Sequence, residues 1–599
     1  MPSYEAPLNE FRFLLRDVLN YEARVTSLPG YEDADLDLVM PVLESAGVFA
    51  RDVLVPINGR GDLEGCKREG DVVRTPRGYI EAYHAYRDAG WPALAGAPLY
   101  GGQGLPITLS TLVREIVGSG SMAFGMYSGL SQGAYRALLA HGTDELRQLM
   151  LPPLVEGRWT GTMCLTEAES GSDLSQLRTR ATPIGDGTYR INGNKIFISG
   201  GDHDLAENIV HLVLARLPDA PVGTRGISLF LVPKKLPRTD GSPLSVHGDN
   251  GVTCTSIEHK MGIRASATAA LAFDDSIGWL VGEANGGLKA MFTMMNSSRI
   301  GVAVQSIGVA ELSLQNARAY SLDRRQGRAP GVAHAAGGGA DTIVSHPDVR
   351  KNLLIMKAFT EGARAMYTDT AILLDIRNRH PEAAERSRAD NRLALLTPVL
   401  KSYLSDGAVE ATRLGITIFG GHGYVHEHGM EQLLRDAQIV PLYEGTNAIQ
   451  ALDLVHRKLG LEDGRVVADW LQECQVLVCD DASHADTRAL RASLAVALRH
   501  LQEATTLMQR YVRENAVAAA AASSDYLRLF GTVALGMAWL KMADAAVAAH
   551  GQESPVFYAG KLKTANFYGT YRLSETATLM LNIQANASAL MAHDAEELQ

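Results

Sequence analysis

Glu444 stands in the stretch Tyr443-Glu444-Gly445-Thr446-Asn447, shortly after Leu434-Arg435-Asp436-Ala437. A carboxylate beside a residue without Cβ can serve as a general base on a closely approaching substrate. By itself it reads equally well as a solvated loop glutamate, one of 67 acidic residues. A second stretch, Met163-Cys164-Leu165-Thr166-Glu167-Ala168-Glu169-Ser170-Gly171-Ser172-Asp173, reads alone as a turn with capping residues. A third, Ile416-Thr417-Ile418-Phe419-Gly420-Gly421-His422-Gly423-Tyr424, reads alone as a helix end. His422, His426 and His428 have a spacing that could ligate zinc on a helix. Gly421 and Gly423 make the segment a loop, and no cysteine or second histidine cluster completes a set, so these read as loop histidines. No Gly-x-Gly-x-x-Gly follows a strand and no Gly-x-x-x-x-Gly-Lys occurs, which argues against a Rossmann site or a P-loop. Gly101, Gly102 and Gly104 follow a helix and read as a tight turn.

Composition narrows the classes. The 599 residues are 46% hydrophobic and 21% charged, ordinary for a soluble globular chain of about three to five domains. A net charge of −11 argues against nucleic acid as partner, because phosphate backbones need clustered cations. Five scattered cysteines without a Cys-x-x-Cys pair fit a reducing compartment. The N-terminus lacks a basic and an apolar signal region, and no run of about 18 apolar residues is seen, so the expectation is a cytoplasmic protein with no membrane span.

The elements that would position these stretches change period along the chain. Leu8, Phe11, Leu15, Val18 and Leu19 lie at helical spacing, and the helical pattern continues over 33–157 apart from a loop at 97–104. Near residue 160 alternation begins. Tyr189 and Ile191, then Asn192-Gly193, then Ile196 and Ile198 predict a hairpin. Ile209–Ala215, Ile227–Val232, Val252–Ile257 and Ala267–Phe273 predict further strands. Helical spacing returns over 284–458, broken by a Gly/Ala/Pro-rich insertion at 327–340, and an Ala-rich helical tail follows. The expectation is an α+β fold, mostly α. It comprises an N-terminal helical extension (1–40), an N-terminal helical domain (41–159), a β-barrel-like domain (160–283), a C-terminal four-helix domain (284–458) and an additional helical domain (459–599).

The three stretches, in this order in a chain running helical, β, helical, resemble the acyl-CoA dehydrogenase family over about residues 40–460. The N-terminal helix, the insertion and the tail resemble its roughly 600-residue branch. That branch includes 3-methylmercaptopropionyl-CoA and long-chain fatty acyl-CoA dehydrogenases. The resemblance implies FAD as cofactor. Met163, Leu165, Thr166, Gly171 and Ser172 would contact it from the segment opening the β-domain. Phe197, Ile198 and Ser199 are similar to a Trp-Ile-Thr stretch beside the flavin, with Phe197 keeping an aromatic face. Arg324 would reach the FAD pyrophosphate of a neighbouring subunit, implying at least a dimer and in this reading a homodimer, and Gln326 would also contact FAD. Phe419, Gly420 and Gly421 would lie near the adenosine, with Thr417 in place of the usual glutamine. Thr446 and Asn447 would also contact FAD. Ser172, Asn296, Arg299 and Gly445 would bind the acyl-CoA.

The implied reaction is α,β-dehydrogenation to the trans-2-enoyl-CoA. Glu444 takes the α-proton, flavin N5 accepts the β-hydride, and electrons pass to electron-transfer flavoprotein. Burial against flavin and acyl chain would make the carboxylate a stronger base, and the Glu444 backbone N–H would help hold the thioester carbonyl. Two alternatives stay open: an acyl-CoA oxidase passing electrons to O₂, and a flavin-free scaffold of the same fold.

Overall fold

The computed structural model describes residues 2–237, 246–331, 339–480, 484–549, 554–585 and 587–598. The five parts expected from sequence group into two compact units. One is Ser45–Gly301, and the other joins Met1–Glu44 to Val302–Gln599.

In the first unit, helices α1 (Ile107–Gly120), α2 (Met122–His141) and α3 (Asp144–Val155) precede the strands. Side-chain caps start α2 and α3: Ser121 Oγ accepts from the Phe124 N–H and Thr143 Oγ1 from the Leu146 N–H. The strands of the main sheet are β1 (Trp159–Cys164), β2 (Arg180–Pro183), β3 (Thr188–Ser199), β4 (Asn208–Arg216), β5 (Ile227–Pro233), β6 (Val252–Ile257) and β7 (Thr268–Val281). Pairings β7–β3, β3–β2, β2–β4, β4–β5 and β5–β7 close a ring, with β1 flanking β4 and β6 flanking β7. Closure shelters the open strand edges and makes the domain barrel-like, as expected. Strand β4 is covered on both faces. Leu212 and Leu214 pack with Ala134, Leu138 and Trp159, while Val213 and Ala215 pack with Ile191, Phe230 and Phe273. That double burial is why its sequence shows no polar alternation. Met291 and Met294 are fully buried in the first of these clusters, the core role that their helical spacing suggests.

Two local expectations need correction. Asn192-Gly193 does not turn a hairpin, because β3 runs through it unbroken. A Cβ on Gly193 (φ +153°) would lie 2.5 Å from Thr179 Oγ1, so the glycine serves a close crossing. Asn192 instead ties to Asp275, accepting from its N–H at 3.0 Å and donating to its Oδ1 at 2.9 Å. Conversely, the helical reading of 33–157 contains a small antiparallel hairpin, Lys67–Glu69 with Val72–Arg74, turning at Gly70 with φ +63°.

Helix α4 (Gly287–Asp323) supplies residues to each unit. The second unit continues with α5 (Pro347–Arg379), α6 (Ala383–Phe419), α7 (Met430–Ala437) and α8 (Asn447–Asp453). Then come α9 (Arg465–Val478), α10 (Arg488–Glu514), α11 (Ala516–Ala548) and α12 (Pro555–Tyr571). Residues 332–338 of the expected insertion lie outside the described residues, and its flanks meet in an Arg325–Thr342 bridge. Helix α11 is long and apolar enough by composition to cross a membrane, which amends the expectation that no segment is. However, 78% of its apolar window is buried within the chain, and Trp539 Nε1 on it donates to the Ala358 carbonyl of α5 at 2.8 Å. It is packed as a core helix. The N-terminal segment joins this unit through buried charge. Lys561 of α12 pairs with Glu10 of the first helix (Leu8–Phe13) and, at 2.8 Å, with Glu361 of α5.

Candidate active site

In the first unit, β1 delivers Met163 and then Leu165 and Thr166, which are half-buried on the loop beyond it. The loop is fastened to β3 from beneath. Lys195 Nζ donates to the Leu165 carbonyl at 3.0 Å and to Glu167 Oε1 at 2.8 Å, and the Ile196 N–H donates to the Thr166 carbonyl at 2.9 Å. Glu167 also accepts from the Arg178 and Thr179 N–H groups and from Thr179 Oγ1. Burial alone would push the Glu167 carboxyl up. The Lys195 charge and these donors outweigh it and hold the group below the usual carboxylate range. Gly171 and Ser172 follow on an exposed turn.

Phe197 sits two residues beyond Lys195. Lys195 pairs with Leu271 and Ile198 with Ala269, so Ile196 and Phe197 face Ala270 alone, a β-bulge. Phe197 takes φ +59° there and is 60% exposed, while Ile198 is buried and Ser199 half-buried. Beneath β1, Thr160 meets His203 Nε2 at 2.9 Å and Thr162 meets His211 Nδ1 at 2.7 Å. Burial pushes both imidazoles down to about 3, so both are neutral near pH 7. Asn296 and Arg299 lie on α4. Arg299 is 5% exposed, with its Nη1 3.5 Å from Asn296 Oδ1.

In the second unit, Glu444 has φ +58° and Gly445 φ +83°, two left-handed residues in succession. Gln450 Nε2 of α8 donates to the Glu444 carbonyl at 3.0 Å and to that of Gly445 at 3.5 Å. Tyr443 Oη donates to Gln305 Oε1 of α4. Thr446 caps α8, its Oγ1 accepting from the Ile449 N–H. The Asn447 side chain, expected to contact cofactor, is engaged with α6. It accepts from Lys401 Nζ at 2.9 Å and donates to Ser405 Oγ at 2.9 Å and Asp406 Oδ1 at 2.7 Å. It thereby clamps the Glu444 loop to a long helix.

Arg324 and Gln326 are exposed just past α4. In the same unit Tyr320 stacks on Phe419 with centroids 4.1 Å apart and hydrogen-bonds His422 Nδ1 at 3.0 Å, beside the exposed Gly420 and Gly421. His422 in turn stacks on His428, and His426 pairs with Glu431 at 2.6 Å. Among the described residues no group of three His, Cys, Asp or Glu is placed to hold a metal. Sequence reasoning missed Lys195, Gln450 and Tyr320. Only Lys195 carried a signal: it shares the inward phase of β3 with Ile191, where a charge is out of place unless partnered.

Four consecutive segments match known families. They are the acyl-CoA dehydrogenase N-terminal domain (43–158), middle domain (162–276) and C-terminal domain (285–459), and the acetyl-CoA dehydrogenase C-terminal-like domain (469–594). A 3-methylmercaptopropionyl-CoA dehydrogenase of Ruegeria pomeroyi is 44% identical over 463 residues, covering 77% of each chain. The chain belongs to the acyl-CoA dehydrogenase family. As a member it is an oxidoreductase acting on CH–CH groups, with FAD as cofactor. A broad-specificity linear acyl-CoA dehydrogenase of Mycobacterium tuberculosis is 32% identical over 595 residues and 95% of each chain. Among solved structures, the butyryl-CoA dehydrogenase of Megasphaera elsdenii is similar at TM-score 0.57 and 28% identity, over 70% of this chain and 97% of that one. A Caenorhabditis elegans protein in complex with C11-CoA shares the fold at TM-score 0.77 and 21% identity, over 99% and 96%.

Proposed function

We propose that this acyl-CoA dehydrogenase converts an acyl-CoA thioester to the trans-2-enoyl-CoA, with Glu444 as the base. The observation that carries the reading is the Glu444–Gly445 backbone. Two left-handed residues in succession, with both carbonyls on Gln450, hold a carboxylate on a loop that has no Cβ at its next position. Such strain persists where function requires it. Glu444 takes the α-proton as the α C–H bond breaks, and fixed orientation lowers the barrier by placing base and C–H together.

The residues of the first unit fit FAD. An exposed phenylalanine held at a bulge offers a flat apolar face, the use the Phe197 resemblance implies. Met163, Leu165, Thr166, Gly171, Ser172, Ile198 and Ser199 would line the same side of the cofactor. FAD, when bound, accepts the β-hydride. Arg324, Gln326, Phe419, Gly420, Gly421 and Thr446 would hold the remainder of an FAD molecule. The exposure of Arg324 and Gln326 suits reach to a neighbouring subunit in a homodimer. Ser172, Asn296, Arg299 and Gly445 would hold the acyl-CoA. We place the enzyme in the cytoplasm, with electron-transfer flavoprotein as acceptor.

Glu444→Gln is expected to retain FAD and acyl-CoA binding and to slow flavin bleaching by about 10²–10⁴-fold, the range for a lost general base. Bleaching at the wild-type rate would sink the assignment. Peroxide release in air, compared with turnover on an artificial acceptor, separates dehydrogenase from oxidase, and light scattering reads the dimer.

A further inference from the structure

We propose that Lys195, fixed by Glu167, is a positioning residue that aims the Thr166 backbone N–H away from the barrel and toward the flavin ring. The inference deepens the cofactor reading above and rests on it.

A trans peptide is planar, with its C=O and N–H pointing in opposite directions. The Leu165 carbonyl and the Thr166 N–H belong to one such plane. Lys195 Nζ takes the Leu165 carbonyl at 3.0 Å from the β3 side. The Thr166 N–H must then point away from Lys195. The next carbonyl, of Thr166, is held by the Ile196 N–H of the same strand. Lys195 is wholly buried and Glu167 nearly so. A buried ion pair is a poor way to gain stability, since apolar replacements of similar size are often neutral or better. What this pair provides is direction. Glu167 accepts four hydrogen bonds, from Lys195, the Arg178 and Thr179 N–H groups and Thr179 Oγ1, so the ammonium it fixes has little freedom. The same strand carries Phe197 two residues further on. One short piece of β3 therefore sets both the loop backbone and the exposed aromatic ring.

The test uses the full-length holoenzyme carrying Lys195→Met or Lys195→Arg, each compared with wild type. Three readouts apply: amide exchange over 165–170, FAD affinity, and the visible band and midpoint potential of bound flavin. Lys195→Met is expected to speed exchange in 165–170, weaken FAD by about 10-fold, equal to about 1.4 kcal/mol, and lower the midpoint potential. Lys195→Arg keeps the charge and is expected to fall between the two. Unchanged exchange overturns the brace. Faster exchange with unaltered flavin affinity, band and potential overturns the aiming role. A wild-type protein that takes up no FAD removes the cofactor reading and the aiming role with it, while the exchange result still decides the brace. If Lys195→Met does not fold, Thr179→Val removes one of the four bonds to Glu167 and is expected to shift the flavin band from its wild-type position and to weaken FAD by less than about 10-fold. A band identical to wild type overturns the proposal.

Discussion

Phe197 and Glu444 share an uncommon backbone, φ +59° and +58°. Of the nine described non-glycine residues with positive φ, two are thus residues that the motifs singled out for chemistry. Each costs about 1–2 kcal/mol relative to ordinary backbone, and each is held by identifiable neighbours: a bulge against Ala270 for Phe197, and Gln450 for Glu444. The loss of bleaching expected for Glu444→Gln belongs at this scale, because it removes only the proposed proton acceptor. The sequence named the reactive types but not their supports. Gln450 is an amide in a helical pattern, and its contact with the Glu444 carbonyl depends on a turn that side-chain periodicity does not describe. Asn447 shows the converse. The resemblance implied a cofactor contact there, and its neighbours in sequence gave no sign that its amide also engages Lys401, Ser405 and Asp406.

At the scale of elements, strand runs were legible where both faces are buried, as in β4 and β5, where apolar residues dominate and only His211 and Ser228 break the run inside the strands. The hairpin at Asn192-Gly193 was misread because a close crossing and a tight turn select the same glycine, and only Thr179 across the ladder distinguishes them. The two histidines beneath β1 give the barrel a pH dependence of definite sign. Their folded values, about 3, lie below the ordinary 6.5. Their contribution to stability is therefore present above pH 6.5 and lost as pH falls toward 3, because the unfolded chain binds the protons first. Each adds a slope of up to about 1.4 kcal/mol per pH unit in that window. Melting temperature measured from pH 7.5 down to 4.5 should fall, and His211→Gln should reduce that slope. An unchanged slope would show that His211 is protonated in the fold.

At the scale of the whole molecule, the order helical, β, helical was legible from period changes, but the partners of the two chain ends were not. Lys561 meets Glu10 across 551 residues of sequence. No local pattern encodes such a meeting, only the presence of a lysine and a glutamate on otherwise apolar helix faces. The ammonium is buried among Glu10, Glu361 and the Phe557 ring. Removing one member of a buried charge group leaves the others uncompensated, at about 3–5 kcal/mol. Lys561→Met should lower the urea midpoint by a corresponding amount. A variant that denatures like wild type would mean the network carries no net stabilisation.

The left-handed turn at Glu444 sets selection for durability against selection for turnover at one position. Glycine adopts that conformation without penalty. Glu444→Gly is therefore expected to raise the melting temperature of the cofactor-free protein while abolishing turnover, as trade-offs of this kind commonly do. A lower melting temperature would mean that contacts of the Glu444 side chain outweigh the strain. If the expectation holds, a library screened for thermal resistance alone would discard the proposed base early, and the sturdiest descendants of this enzyme would be inert.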